Sequence, residues 1–194
     1  MMLEMLNPED RFSSLVKITP AWMCKHNYRA LLIDIDNTLL PRNSSVIPEN
    51  NINWLQMMQL QGIAVVMASN NGGTRTAAIE KQLAEKGLLI PILTWAGKPF
   101  PWAYAGAIRL LEESQTANGI DMKNSVSGIL AAGDQLFTDV LGASGAGIRS
   151  ILVRRISFHE RYYIHLKRIL EYIIMIFYPA VRIIRKKDVL EGAL

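Results

Sequence analysis

Residues 34–38 read Asp-Ile-Asp-Asn-Thr, which sets two carboxylates two positions apart and a hydroxyl two further on. They follow Ala30-Leu31-Leu32-Ile33, an apolar run of strand length without polar alternation. A strand buried on both faces has no place for aspartate, so Asp34 and Asp36 belong at its carboxyl end, where the chain leaves the sheet. Two acids in one crevice repel each other unless a cation joins them, and a divalent metal is the natural partner. The same five residues also suit a plain Asp-Asn turn. The other strand ends decide between the two.

Three more apolar runs end in chemistry-bearing residues. The run at 63–68 stops at Ser69-Asn70, that at 90–95 at Gly97-Lys98-Pro99, and that at 127–132 at Gly133-Asp134, with Asp139 five residues on. Taken singly, Ser69 and Asn70 suit a helix cap, Lys98 a solvated surface, Asp134 a turn and Asp139 the first turn of a helix. Taken together, acid, hydroxyl, lysine and acid occupy successive strand ends, the edge where open parallel sheets bind their ligands.

The elements that hold these ends alternate. Helical spacing covers 48–60, where Ile52, Leu55, Met57 and Met58 are expected inward and Gly62 ends the run. It returns at 74–86, closed by Gly87, at 102–113 with Ala103, Ala107 and Leu110 inward, and in the small residues of 140–147. A fifth strand is expected at 150–153. Strand–helix alternation with apolar strands implies an α/β fold, a parallel sheet covered on both faces.

At 194 residues, half of them hydrophobic and a fifth charged, the chain suits one domain with an appendage. Residues 1–155 are expected to form the domain and 156–194 the appendage. The lone Cys24 excludes an internal disulfide and reads as a small buried hydrophobe. Residues 1–20 mix charges with short apolar pieces, unlike a signal peptide. The net charge of +4 is uneven: residues 154–187 hold nine basic against two acidic side chains, a balance of +7, leaving the rest at −3. A basic tail on a mildly acidic body points to a polyanionic surface as partner.

With these motifs in order, the chain resembles the haloacid dehalogenase-like phosphohydrolases, and within them a small bacterial group related to the mitochondrial phosphatidylglycerophosphate phosphatase. The motifs are Asp34-Ile35-Asp36-Asn37-Thr38, Ser69, Lys98-Pro99 and Gly133-Asp134 with Asp139; Phe12 and Ile18-Thr19-Pro20 also fit that group. The resemblance implies a three-layer Rossmann-like fold with a five-stranded sheet in the order 5-4-1-2-3, counted along the predicted strands. It gives Asp34 the role of nucleophile and Asp36 that of general acid and base. It implies Mg²⁺ on the Asp34 carboxylate, the Asp36 backbone carbonyl and Asp134, with Asp139 orienting Lys98 or a metal-bound water. Ser69, Asn70 and Lys98 would hold the phosphate, and Thr38 would touch it or brace the loop. The first two gaps between motifs hold one helix and one strand each, so the protein is expected to be capless. An uncapped site encloses a small metabolite poorly but admits a phosphate on a large or membrane-held molecule.

The implied substrate is lipid-borne, phosphatidylglycerophosphate first. Alternatives are a phosphatase for a soluble phosphorylated molecule, and a non-catalytic adaptor that keeps the pocket. A binding module has no need of an acid at position 36, which counts against the adaptor. In the tail, Leu166, Leu170, Ile173, Phe177 and Ile184 share a helical face, with Arg161, His165, Lys167, Arg168, Arg182, Arg185 and Lys186 largely opposite. The apolar run 172–178 is far short of the ~20 residues that span a bilayer, and Pro179 would kink a helix. Such a segment suits either an interfacial helix on an anionic membrane or a terminal helix packed on the domain. His159 and His165 read as surface residues, and no nucleic-acid partner is expected. The expected location is cytoplasmic, peripheral on the inner face of the cell membrane. Trp95, Phe100 and Trp102 beside Lys98 either flank the site mouth or pack under the third strand, and packing is expected for at least one.

Overall fold

Apolar runs without alternation make the centre of a single parallel sheet. The computed structural model describes residues 4–117 and 128–157. Its strands are β1 (Asp10–Phe12), β2 (Ala30–Asp34), β3 (Ala64–Ala68), β4 (Ile92–Leu93), β5 (Ile129–Gly133) and β6 (Arg149–Val153). They lie in the order β1-β6-β5-β2-β3-β4, every neighbouring pair parallel. Every residue of β2, β3 and β5 is buried, which is why these strands read as continuous hydrophobic runs.

The five expected strands keep their expected order, but the sheet has six. The addition, β1, is three residues long and carries Asp10 and Arg11, so it leaves no apolar signal. Its position comes from pairing: Glu9 N–H donates to Ser150 O at 2.7 Å and Arg154 N–H to Phe12 O at 2.8 Å, covering the edge of β6. The third expected strand shrinks to two residues. Pro91 has no N–H for the ladder, and Trp95 turns into the left-handed region at φ +51°.

Successive side chains of each strand serve opposite layers. Leu31, Ile33, Val65, Met67, Leu130 and Ala132 join the core under α1 (Pro20–Lys25), α2 (Glu49–Leu60) and α3 (Thr74–Glu85). Ala30, Leu32, Ala64, Val66, Ala68, Ile129 and Ala131 meet α4 (Pro101–Ala117) and α5 (Leu141–Gly145). The second layer is built on alanines, so those helices approach the sheet closely. The chain moves outward from β2 to β4 with helices on one face, then returns to β5 with helices on the other. The turnabout lies between β2 and β5, which pair through Ile33 and Ala132. That is the topological switch point, where the crevice opens.

Several expectations change. Cys24 is exposed, because the short α1 turns Met23 rather than its neighbour into the core. Met57 is 38% exposed, since the buried stripe of α2 runs through Ile52, Leu55 and Met58. In α4 it is Leu111 that is wholly buried, with Leu110 half-buried beside it. The small-residue helix is preceded by a π-helical turn over Leu136–Val140. Each of the first two strand connections holds one helix, α2 or α3. Among the described residues no helix is long and apolar enough to cross a membrane. The tail's helical faces, Pro179, His159 and His165 lie outside the described residues.

Candidate active site

The carboxyl ends of β2, β3 and β5, with the loop after β4, converge on one pocket. Asp34, Asp36, Thr38, Ser69, Lys98, Asp134 and Asp139 are all buried there. Asp34 ends β2, with Gly133 and Asp134 at the end of the neighbouring β5. Lys98 Nζ lies 2.5 Å from Asp34 Oδ1 and 2.9 Å from Asp139 Oδ1, bridging the two acids. Thr38 Oγ1 donates to Asp34 Oδ2 at 3.0 Å. The other oxygen of Asp139 accepts from Gln135 N at 3.0 Å and Thr138 Oγ1 at 3.4 Å. Asp139 is therefore fixed on both sides and in turn fixes the lysine. Gly133 makes room for it: a Cβ there would lie 2.2 Å from the Asp139 carboxyl carbon.

Asp36 has different company. Its Oδ2 accepts from Asn71 Nδ2 at 2.7 Å and from Ser69 Oγ at 3.4 Å, and its Oδ1 pairs with Arg75 at 2.9 Å. Ser69 Oγ also accepts from Asn71 N–H at 3.0 Å. Asn70 binds the backbone of Lys98 through both ends of its amide, Nδ2 to Lys98 O at 2.9 Å and Oδ1 from Lys98 N–H at 2.7 Å. Here its side chain positions the lysine loop.

Asn71 and Arg75 escaped the sequence reading. Arg75 did leave a signal: it stands in the first turn of α3, where the helix dipole disfavours a cation unless an anion is close by. Its Nε also donates to Ser44 O at 2.8 Å, tying the loop after β2 to the site. The aromatics Trp95, Phe100 and Trp102 are 71, 52 and 63% exposed, so none packs under β4 as was expected of at least one. The left-handed turn at Trp95 carries this segment out of the sheet.

The electrostatics are dominated by buried acid. Asp34, Asp134 and Asp139 each bring a carboxylate oxygen within 4.8 Å of the others. Burial pushes the Asp34 carboxyl up to about 8; Lys98 pulls against the rise, and the charges of Asp139 and Asp134 add to it. Burial also works against the Lys98 ammonium, but Asp139 and then Asp34 hold its pKa above the ordinary lysine value. Asp134 and Asp139 already outnumber the one lysine, and loss of the Asp34 proton adds a further negative charge. An oxygen-only donor set of this kind suits a hard divalent cation.

Sequence comparison bears on which family uses this arrangement. A haloacid dehalogenase-like hydrolase profile matches residues 31–98, and a second profile, HAD-hydrolase-like, matches residues 95–164. A Bacillus subtilis (strain 168) protein described as "Probable phosphatase YqeG" is 30% identical over 146 residues, 75% of this chain and 76% of its own. The chain belongs to the haloacid dehalogenase-like hydrolases. It is an enzyme of the phosphatase kind within that family. Two solved structures are also similar. A haloacid dehalogenase-like hydrolase from Brucella suis 1330 is 15% identical at a TM-score of 0.46, covering 73% of this chain and 93% of its own. An uncharacterized protein from Listeria monocytogenes serotype 4b is 18% identical at a TM-score of 0.45, covering 68% and 83%.

Proposed function

We propose that the chain is a Mg²⁺-dependent phosphomonoesterase that works through an aspartyl-phosphate on Asp34 and acts on a lipid-borne phosphate, phosphatidylglycerophosphate first. The observation that carries the chemistry is Lys98 Nζ seated between Asp34 and Asp139 at 2.5 and 2.9 Å. This aims a carboxylate and a cation at one point beside the switch-point crevice. Asp34 attacks phosphorus and the ester P–O bond breaks, while Asp36 gives its proton to the departing alkoxide. Water then attacks the aspartyl-phosphate, Asp36 takes a proton from it, and inorganic phosphate leaves with Asp34 restored. Asp36 must exchange Asn71 or Arg75 for the leaving-group oxygen to do this, so those two residues set its readiness. Lys98 neutralises charge that moves onto the transferring oxygens, and Ser69 and Thr38 hydroxyls are within the same pocket to donate to them.

The Asp34 and Asp134 carboxylates and the Asp36 carbonyl would hold Mg²⁺. Bound there, it would offset the repulsion between an anionic nucleophile and a phosphate dianion. The lipid assignment is supported by the resemblance, the single-helix connections that leave the site uncapped, and the +7 segment beyond residue 153. It places the enzyme at the cytoplasmic face of a membrane, with residues 156–187 against anionic headgroups. The test is phosphate release from phosphatidylglycerophosphate in mixed micelles, with Mg²⁺ or with a chelator, beside soluble sugar and nucleotide monophosphates. Mg²⁺-dependent preference for the lipid is expected. Turnover of soluble esters alone would keep the phosphatase and refute the lipid substrate; turnover undiminished by chelator would refute the metal.

A further inference from the structure

Large exposed aromatics are rare unless something covers them. Trp95, Phe100 and Trp102 fall within eight residues and are each more than half exposed, together offering roughly 350 Å² of aromatic surface. They surround the catalytic lysine loop. The Trp95 ring lies over Gly72, where a Cβ would meet its Nε1 at 2.4 Å, and the Trp102 ring lies over Gly97. Phe100 stacks on Trp102 with ring centroids 4.3 Å apart. Trp95 holds its exposed position in the left-handed region, φ +51°, a conformation that costs a bulky residue energy. From Trp102 the apolar surface continues into a groove of about 540 Å³ beside α4, past Ala105 and Ile108.

Charge and chain path identify the occupant. The loops of this rim, 37–43, 69–76, 94–102 and 153–157, carry no acidic residue; apart from the buried Lys98 their cations are Arg42, Arg154, Arg155 and Arg75, the last paired with Asp36. The rim's acids, Asp34, Asp36, Asp134 and Asp139, are buried. Ile156 N–H donates to Asn37 O at 2.9 Å, so Arg154 and Arg155 stand close to the lip of the pocket. Aromatic side chains ringed by cations suit one environment, the boundary between headgroups and acyl chains of an anionic bilayer.

We propose that Trp95, Phe100 and Trp102 form an aromatic rim that inserts at the headgroup–acyl boundary of an anionic membrane and turns the catalytic mouth onto the lipid surface. This deepens the lipid-phosphate reading and rests on it. The test uses the full chain with vesicles of phosphatidylglycerol and phosphatidylcholine bearing brominated acyl chains. Of the four tryptophans, Trp54 is buried and Trp22 half-buried, so contact quenching reports on Trp95 and Trp102. Quenching is expected with anionic vesicles. It should vanish in the W95F/W102F double variant, which keeps its binding by sedimentation. Phe100→Ser should weaken vesicle binding about tenfold in high salt, where headgroup attraction is screened, with turnover of p-nitrophenyl phosphate unchanged.

Vesicle binding without quenching would overturn the proposal, because the basic segment would then dock alone. So would absence of vesicle binding, quenching that survives the double variant, or self-association that disappears with Phe100→Ser. The two readings fail separately. Quenching without hydrolysis of the lipid refutes the substrate and keeps the rim, whereas hydrolysis in micelles without quenching refutes the rim alone.

Discussion

Asp34 and Asp36 lie two residues apart at the end of one strand, yet one faces a buried lysine and two further acids and the other a partly exposed arginine and two neutral polar side chains. Around Asp34 stand Lys98, Asp134 and Asp139, all sealed from solvent. Around Asp36 stand Ser69, Asn71 and Arg75, and the arginine side chain is 23% exposed. A group that attacks phosphorus gains from a dry pocket in which charge is felt strongly. A group that must pick up and release protons gains from partners it can exchange and from water nearby. A continued strand would aim positions i and i+2 the same way; the chain turns at Ile35, just past the end of β2, and so carries Asp36 to a different wall.

The sharpest way to break this contrast is to silence the sealed side. Asp34→Asn removes the proposed nucleophile with little change in shape, and kcat is expected to fall at least ~10³-fold on every ester tested. Lys98→Met, which leaves the acids of that side without their cation, should lower kcat about 10²-fold. It should also destabilise the fold by about 3 kcal/mol, read as a depressed Tm. On the other side, Asp36→Asn should reduce hydrolysis of alkyl phosphates roughly 10²-fold but spare p-nitrophenyl phosphate, whose leaving group needs no proton. Equal losses on both substrates would remove the proton role from Asp36. Arg75→Gln is the mildest change. It should lower kcat about threefold to tenfold on alkyl phosphates and spare p-nitrophenyl phosphate, with little effect on KM. Equal losses on both esters would leave Arg75 as a tie to the Ser44 loop and nothing more.

Much of the site was legible because a buried strand announces its own end. The change from apolar run to Asp34, Ser69 or Asp134 marks where the backbone meets the crevice, and one parallel sheet puts all such ends on one edge. Asn71 escaped notice because its partner, Asp36, is 35 positions away. Asn70 looked like a phosphate donor, yet its amide is taken up by the Lys98 backbone 28 positions on. Strand β1 was invisible for the same reason: Asp10-Arg11-Phe12 has no strand propensity to read, and its place is given by the open edge of β6. The exposure of Trp95 depends on a left-handed backbone turn that its residue type argues against.

The sequence by itself determined the layered α/β plan and the residues at the strand ends, and its resemblance to a known family implied the strand order. The plan and the strand ends follow from local patterning, because apolar runs alternating with helical spacing build a parallel sheet covered on both faces. Only the tertiary structure decided which acid Lys98 bridges, what restrains Asp36, and which aromatics stay outside. Those outcomes depend on approaches of a few ångströms between segments 28 to 64 residues apart, and local patterning carries no record of such distances.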